Sequence, residues 1–274
     1  NFIFNVLEPQ IAATDNSGLV KFEDVVVYEG SKIDNTFVVN RANYDQRFVL
    51  LNTNIDTSTI RVEVQENPTQ EETSFYRQAD NLVELTKESR IYWIEEIDRG
   101  YYELTFGDGL FGKELADGAV VRVSYVITNG EEANGIQFPS NFNFVGKTID
   151  NNGTNVISRP TVTSVSKTES GARIEEVSSI KYRAPREWAA QSRCVTTEDY
   201  DVLVRKVFPA VEDIYVYGGE TLSPIPEYGR VYVVIKPTTG NSLSNLTKSY
   251  IKKSLDPYRV ASLDIVIQDP DIIY

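Results

Sequence analysis

Residues 107–113 combine flexible glycines with a basic side chain at a spacing that can bind phosphate. Their sequence, GDGLFGK, fits the pattern G-x-x-x-x-G-K, in which backbone amides surround the phosphates and the lysine reaches the terminal ones. A working loop of this kind continues with Ser or Thr, for a magnesium ion, and then opens a helix. Here Glu114 follows the lysine, and Asp117 and Gly118 predict a turn before a further strand. The pattern therefore does not predict a nucleotide-binding enzyme.

The glycines of this segment instead favour a tight connection between two strands, because glycine adopts backbone angles that are closed to other residues. We expect this turn to shape a corner of the β domain and to be available for contact with a neighbouring subunit. Its residues are Gly107, Asp108, Gly109 and Gly112.

The composition removes most catalytic and metal chemistry. The sequence has no histidine and one cysteine, Cys194, so Ser-His-Asp triads, Cys-His dyads, histidine-ligated zinc and an internal disulfide are excluded within this chain. The acidic residues Glu95, Glu96 and Asp98 are interpreted as a solvated strand end rather than as a carboxylate pair for glycoside hydrolysis. We expect no enzyme, no cofactor and no metal site, and we expect Cys194 to be a small core residue.

Charge and hydropathy limit the partners. The net charge is −13. Residues 1–166 have 13 Lys/Arg and 25 Asp/Glu, and residues 167–274 have 14 Lys/Arg and 15 Asp/Glu. An acidic surface repels phosphate backbones, so we expect no nucleic acid partner. No run of 18 apolar residues predicts a membrane span. The sequence also has no methionine, so we expect it to be a fragment or a processed product of a longer protein.

Hydrophobic alternation predicts β-strands in the first part of the chain. Residues 59–65 alternate Ile, Val and Val with polar residues, and residues 101–106 and 119–127 show the same period of two. We predict an acidic, antiparallel, β-sandwich-like domain over residues 1–166, with residues 36–135 as its core and residues 136–166 as a loop-rich boundary. Exposed aromatics such as Tyr92 and Trp93 leave a carbohydrate-binding β domain as the alternative function.

The period changes to that of a helix in residues 167–274. Thr196 or Thr197 can cap a helix over residues 196–208, whose apolar stripe is Tyr200, Leu203, Val204 and Val207. Strands follow, then a helix over residues 242–257 and a final strand. We expect that helix to turn four residues inward, which are Leu243, Leu246, Tyr250 and Leu255. We predict a smaller α+β domain of order α-β-β-α-β that serves assembly. Residues 173–191 also favour a helix, which we expect Pro185 to end or kink near Ala184.

A basic run surrounds that proline. It is interpreted either as a solvated helix face or as a docking face for an acidic neighbour. Its residues are Lys181, Arg183 and Arg186.

Two long blocks, residues 101–135 and 169–220 continued by 228–237, carry an ordered series of short motifs. These are a glycine-rich turn after a strand, an alternating strand, an Asn-Gly turn, a helix start, a basic Arg-Ala-Pro segment, and a Val-Thr…Asp-Tyr helix start. They lie at residues 106–112, 115–125, 134–135, 171–175, 183–185 and 195–200. The series resembles the baseplate J-like family of contractile tails, and within it the inner-ring wedge subunits of T-even-type phages.

The resemblance implies a structural role without catalysis. Such subunits pair with copies of themselves, with a dimer as the expected state, and dock other wedge proteins to form the ring around the tail hub. It also implies a place in the tail baseplate of a virion, with assembly in the host cytoplasm.

Overall fold

A computed structural model of the chain describes residues 2–43, 46–67, 69–70, 72–79, 85–137, 142–156 and 160–271. The chain divides into two compact units, residues 1–129 and residues 130–274. Each unit has its own hydrophobic core.

The first unit consists of β-strands and short turns. Its main sheet has seven strands in the order β3-β9-β5-β6-β7-β8-β4, and every pairing is antiparallel except β6 with β7. A small hairpin of β1 and β2 accompanies it. The strands are β1 Phe4–Asn5, β2 Tyr28–Glu29, β3 Ser31–Val38, β4 Phe48–Leu50, β5 Ile55–Gln65, β6 Ser74–Gln78, β7 Ile91–Ile97, β8 Tyr101–Phe106 and β9 Val120–Ile127.

The alternating residues of these strands form the core as the sequence predicts. Val62 and Val64 of β5, Leu104 of β8, and Val121 and Val123 of β9 are almost fully buried in one cluster. Successive side chains of a strand point to opposite faces, so one face of each strand faces the core while the other stays wet.

The predicted sandwich is not confirmed, because the core is enclosed by one curled sheet. The two edge strands, β3 and β4, approach each other through Phe37 and Phe48, whose rings meet edge to face at 5.6 Å between centroids. The sheet is therefore nearly closed. Alternation along a strand shows which side chains face inward, but it does not distinguish two packed sheets from one curled sheet.

The second unit combines helices with a three-stranded sheet of order β12-β13-β14, in which β12 and β13 are antiparallel and β13 and β14 are parallel. A small hairpin of β10 and β11 precedes it. The elements are β10 Thr148–Ile149, β11 Asn155–Val156, α1 Val177–Ala190, α2 Thr197–Val207, β12 Val211–Gly218, β13 Arg230–Pro237, α3 Asn245–Leu255 and β14 Asp264–Gln268. Because α1 precedes α2, the order α-β-β-α-β is not confirmed for residues 167–274.

Helix α2 begins where its capping residues predict. The Thr196 side chain accepts a hydrogen bond from the amide of Asp199 at 3.2 Å, and the Asp199 carboxylate accepts one from the amide of Thr196 at 2.8 Å. Burial raises the pKa of Asp199, but the amide hydrogen bonds from Thr196 and Val195 outweigh it and lower the pKa. The apolar stripe of α2 then packs into the core with Tyr200 and Leu203, both about fully buried.

Two helix predictions need correction. Helix α1 runs through Pro185 to Ala190, so the prediction that it ends near Ala184 is wrong, and a kink at Pro185 stays a prediction. Pro185 and Lys181 are both exposed, so the carbonyl of Lys181, which loses its amide partner, is open to water.

The inward face of α3 also differs from the prediction of Leu243, Leu246, Tyr250 and Leu255. Ile251 and Leu255, four residues apart, are fully buried with Leu243, whereas Leu246 and Tyr250 are about half exposed. Positions 251 and 255 lie on the buried face of the helix, whereas positions 246 and 250 lie on a neighbouring face that is partly exposed.

The compact units divide earlier than the predicted boundary at residue 166. Thr168 accepts the amide of Gly135 at 2.8 Å, and Asn134 exchanges hydrogen bonds with Gly171. Residues 130–137 therefore fold with residues 168–171. The division into separate domains at residue 166 stays a prediction.

Candidate interaction surfaces

The glycines of residues 107–113 are required by close backbone contact. A Cβ atom at Gly107 would lie 2.2 Å from the carbonyl carbon of Gly112, and one at Gly112 would lie 2.7 Å from Cγ1 of Ile91. Gly112 also has a φ of +87° and Gly109 a φ of +85°, which L side chains rarely adopt. The loop thus folds back tightly on β7.

Every amide of residues 109–113 donates to an oxygen of the chain itself. The Asp108 carboxylate accepts the amides of Leu110 and Phe111 at 2.9 and 2.8 Å. The remaining three amides, of residues 109, 112 and 113, donate to the carbonyls of Gly112, Thr86 and Ser89 respectively. A phosphate cradle needs these same amides to point at the ligand.

The lysine of the motif is also engaged. Lys113 forms an ion pair with Glu66, and the pKa of Asp108 is lowered by the hydrogen bonds from Phe111 and then Leu110, so a carboxylate occupies the position that a phosphate would take. No helix opens after the loop, since β9 follows. The geometry therefore argues against nucleotide binding and agrees with a structural turn.

The turn holds two apolar side chains in solvent. Leu110 is 74% exposed and Phe111 is 48% exposed. Their backbone is fixed by the hydrogen bonds to Asp108, so the pair is a rigid projection. We call Leu110 and Phe111 the loop tip.

The predicted basic run lies on α1, but its three cations do not share one face. Arg183 is half-buried and forms an ion pair with Glu175 at 2.6 Å. Arg186 stacks over the ring of Tyr182, 3.6 Å from its centroid, and donates to the carbonyl of that residue. Lys181 is exposed and makes no ion pair within the described part of the chain.

Sequence reasoning missed an apolar stripe on the same helix. Val177, Ile180, Ala184 and Trp188 are spaced by three, four and four residues, which places them along one side of a helix. Trp188 is 79% exposed, Val177 65% and Ile180 44%. The spacing is readable in the sequence, but the expectation that Pro185 ends the helix concealed it. We call these four residues the α1 stripe.

A row of tyrosines lies on the sheet of the second unit. Tyr217 and Tyr232 stack with 5.1 Å between ring centroids, and Tyr215, which is 67% exposed, lies 5.7 Å from Tyr217. Tyrosine is enriched at protein interfaces because its ring is rigid and amphipathic.

The aromatic residues that motivated carbohydrate binding are placed differently from expectation. Tyr92 is 3% exposed, within the core of the first unit, and its hydroxyl donates to the carbonyl of Ile60 at 3.4 Å. Trp93 is half-buried. The expectation that Tyr92 is exposed is wrong, because the face of β7 that carries it turns toward the core.

Cys194 lies in the core of the second unit, as expected for a small residue of a type that is often buried. Burial, followed by the charge of Asp199, raises the pKa of its thiol to about 12. Among the described residues, no three His, Cys, Asp or Glu side chains are arranged to hold a metal ion. No helix in the same ranges is both long enough and apolar enough to cross a membrane.

Comparison with known proteins relates the second unit to a baseplate structural protein. Residues 196–268 match the family described as "Baseplate structural protein gp6, C-terminal domain I". The chain is 24% identical over 210 residues to "Baseplate wedge protein gp6" of Enterobacteria phage T4, a match that spans 71% of this chain and 31% of the relative. The chain therefore spans about a third of the length of that relative.

A comparison with solved structures gives a match of low structural similarity. It is described as the cryo-EM structure of the anti-feeding prophage baseplate, 6-fold symmetrised, with 13% identity and a TM-score of 0.28 over 87% of this chain and 57% of the other.

Proposed function

We propose that this chain is a structural subunit of a contractile-tail baseplate that associates with copies of itself and docks other wedge proteins to form the ring around the hub. The observation that carries the proposal is the similarity to baseplate wedge protein gp6, which spans both units of the chain. That similarity supports a structural role in a baseplate and favours a non-enzymatic chain with other baseplate components as partners.

The described surfaces are suited to docking. The loop tip, the α1 stripe and the exposed Tyr215 present apolar or aromatic side chains on ordered elements. Exposed apolar groups of this kind mark contact sites when they are grouped. The ring contacts, a dimeric state, the basic face of Lys181, Arg183 and Arg186, and the wider baseplate J-like assignment remain parts of the proposal.

The proposal places the protein in the tail baseplate of a virion, assembled in the host cytoplasm. The similarity to the baseplate wedge protein gp6 of phage T4 supports the first of these places. Carbohydrate binding is not proposed as a second function, since the burial of Tyr92 removes its motivating observation.

Light scattering across a range of concentrations, alone and with purified baseplate wedge proteins, tests the proposal. We expect the mass of the chain to rise with concentration, or a defined complex with a wedge protein to form. A chain that stays monomeric and binds none of the wedge proteins contradicts the proposal.

A further inference from the structure

Helix α1 leaves most of its apolar stripe exposed to solvent, with Trp188 79% and Val177 65% exposed. Glu187, three residues after Ala184, binds Lys206 of α2 at 2.6 Å, and Ala190 is the one residue of α1 that is buried. A helix of 14 residues is marginal in water, and most helix stability comes from packing an apolar stripe. The α1 stripe is therefore a surface that a partner would complete.

The loop tip is a second apolar surface without cover in the described part of the chain. Leu110 and Phe111 project from a turn whose amides are all bonded internally. Such a rigid projection loses little conformational freedom on binding, which favours its use as an anchor.

The first unit is strongly acidic, whereas helix α1 carries a local excess of positive charge within a nearly neutral second unit. The first unit, residues 1–129, has 11 Lys/Arg and 22 Asp/Glu, and Asp108 beside the loop tip forms no ion pair among the described residues. Helix α1 has three cations and one acid, and Lys181, which forms no ion pair with the residues that the structure describes, lies next to the α1 stripe. Complementary charges steer association and select the partner.

We propose that the loop tip of one copy docks on the α1 stripe of a second copy, with Asp108 of the first near Lys181 of the second. This inference rests on the self-association proposed above and assigns it to two named surfaces. The contact is heterologous, because it joins different surfaces of identical chains. Contacts of this type link copies head to tail and generate rings or open filaments.

A contact between one helix and one loop lies at the small end of protein interfaces. We therefore expect weak, salt-sensitive association of the isolated chain, since salt screens exposed charges beyond a Debye length of about 10 Å at 0.1 M.

The first arm of the test removes each surface separately in the full chain. We expect Trp188→Gln and Leu110→Gln each to weaken self-association about tenfold or more in analytical ultracentrifugation, as truncated aromatic anchors do. Both side chains are mostly exposed, so folding should persist, which circular dichroism checks. Tyr228→Gln and Leu51→Gln, at side chains 82% and 69% exposed, are the matched controls and should associate like the parent chain.

The second arm mixes the two variants. The Trp188→Gln chain keeps its loop tip and the Leu110→Gln chain keeps its α1 stripe, so one contact is possible between them. We expect a 1:1 complex and nothing larger, weakened by salt. If α1 instead pairs with α1 of another copy, Leu110→Gln alone will associate normally, and the inference is wrong.

The outcomes separate this inference from the proposed function. A parent chain that associates while both variants also associate unchanged overturns the assignment of the surfaces and leaves self-association standing. A mixture without a 1:1 complex overturns it as well. A parent chain that stays monomeric up to about 100 µM overturns the inference. Its dissociation constant would then exceed about 100 µM, so the free energy of association would be smaller than about 5.5 kcal/mol. The proposed function then depends on wedge partners alone.

Discussion

Replacing Gly112 by alanine should destabilise the first unit much more than replacing Gly109. Both glycines have a positive φ, and a residue with a Cβ loses about 1–2 kcal/mol of folding free energy there. A Cβ at Gly112 would also lie 2.7 and 2.8 Å from two atoms of the fully buried Ile91, whereas one at Gly109 would meet nothing closer than 3.8 Å. Overpacking of this kind costs about 1–3 kcal/mol.

The expected loss of unfolding free energy is therefore about 1–2 kcal/mol for Gly109→Ala and about 2–5 kcal/mol for Gly112→Ala. Urea unfolding followed by the fluorescence of Trp93 measures both. The sequence has two tryptophans, so a Trp188→Phe background leaves Trp93, in the first unit, as the sole reporter. Trp188 is 79% exposed, so its replacement should not change the stability of the first unit.

A third variant tests the cause. Ile91→Val removes the Cδ1 atom that a Cβ at residue 112 would meet, at a cost of about 0.5–1.5 kcal/mol by itself. Combined with Gly112→Ala, it should destabilise by less than the sum of the two changes. Equal losses for Gly109→Ala and Gly112→Ala, together with strict additivity at residue 91, would refute the close approach of the loop to β7.

Four further outcomes follow from individual contacts. Thr196→Ala should lower the unfolding free energy of the second unit by about 1 kcal/mol, measured by urea unfolding, because α2 loses its cap. Leu203→Asp should unfold that unit, seen as lost helical circular dichroism, because a charge would enter a site that is 1% exposed. Cys194 should resist thiol reagents at neutral pH until denaturant is added, since its pKa is about 12; rapid labelling of the native chain would contradict its burial. Millimolar Mg-ATP should leave the melting temperature unchanged, whereas tight binding would raise it.

Strands were predictable from sequence where one face of the strand is buried and the other is exposed to solvent. The alternation in residues 59–65 and 119–127 matches the buried residues of β5 and β9, because a half-buried strand must repeat every two residues. The curling of the sheet was not predictable. It brings together Phe37 of β3 and Phe48 of β4, which follow each other in the chain but lie at opposite edges of the sheet, and no local signal marks β3 and β4 as edge strands.

Helix α2 was predictable because its cap and its apolar stripe agree. Thr196 supplies the cap, and Tyr200 and Leu203 supply the stripe. Helix α1 was predicted to end or kink because Pro185 opposes a helix locally, and the structure shows the helix continuing through it to Ala190. Local propensity and the longer pattern disagree there, and the pattern prevails.

The interaction surfaces were predictable in part. The structural use of the glycines at 107–112 followed from the failed phosphate motif, whereas the exposure of Leu110 depends on how the turn folds. The basic run was found, but only Lys181 borders the α1 stripe. Sequence alone does not show that Arg183 bonds to Glu175 and that Arg186 lies over Tyr182.

The meeting of Phe37 and Phe48 has a consequence if, as proposed, the chain associates with copies of itself. Free strand edges are templates on which identical chains can grow into fibres. In the first unit the outermost strands turn toward each other, so their backbone groups are poorly placed to recruit another chain. Crowding of copies can then raise the occupancy of specific side-chain contacts without raising the hazard of cross-β growth.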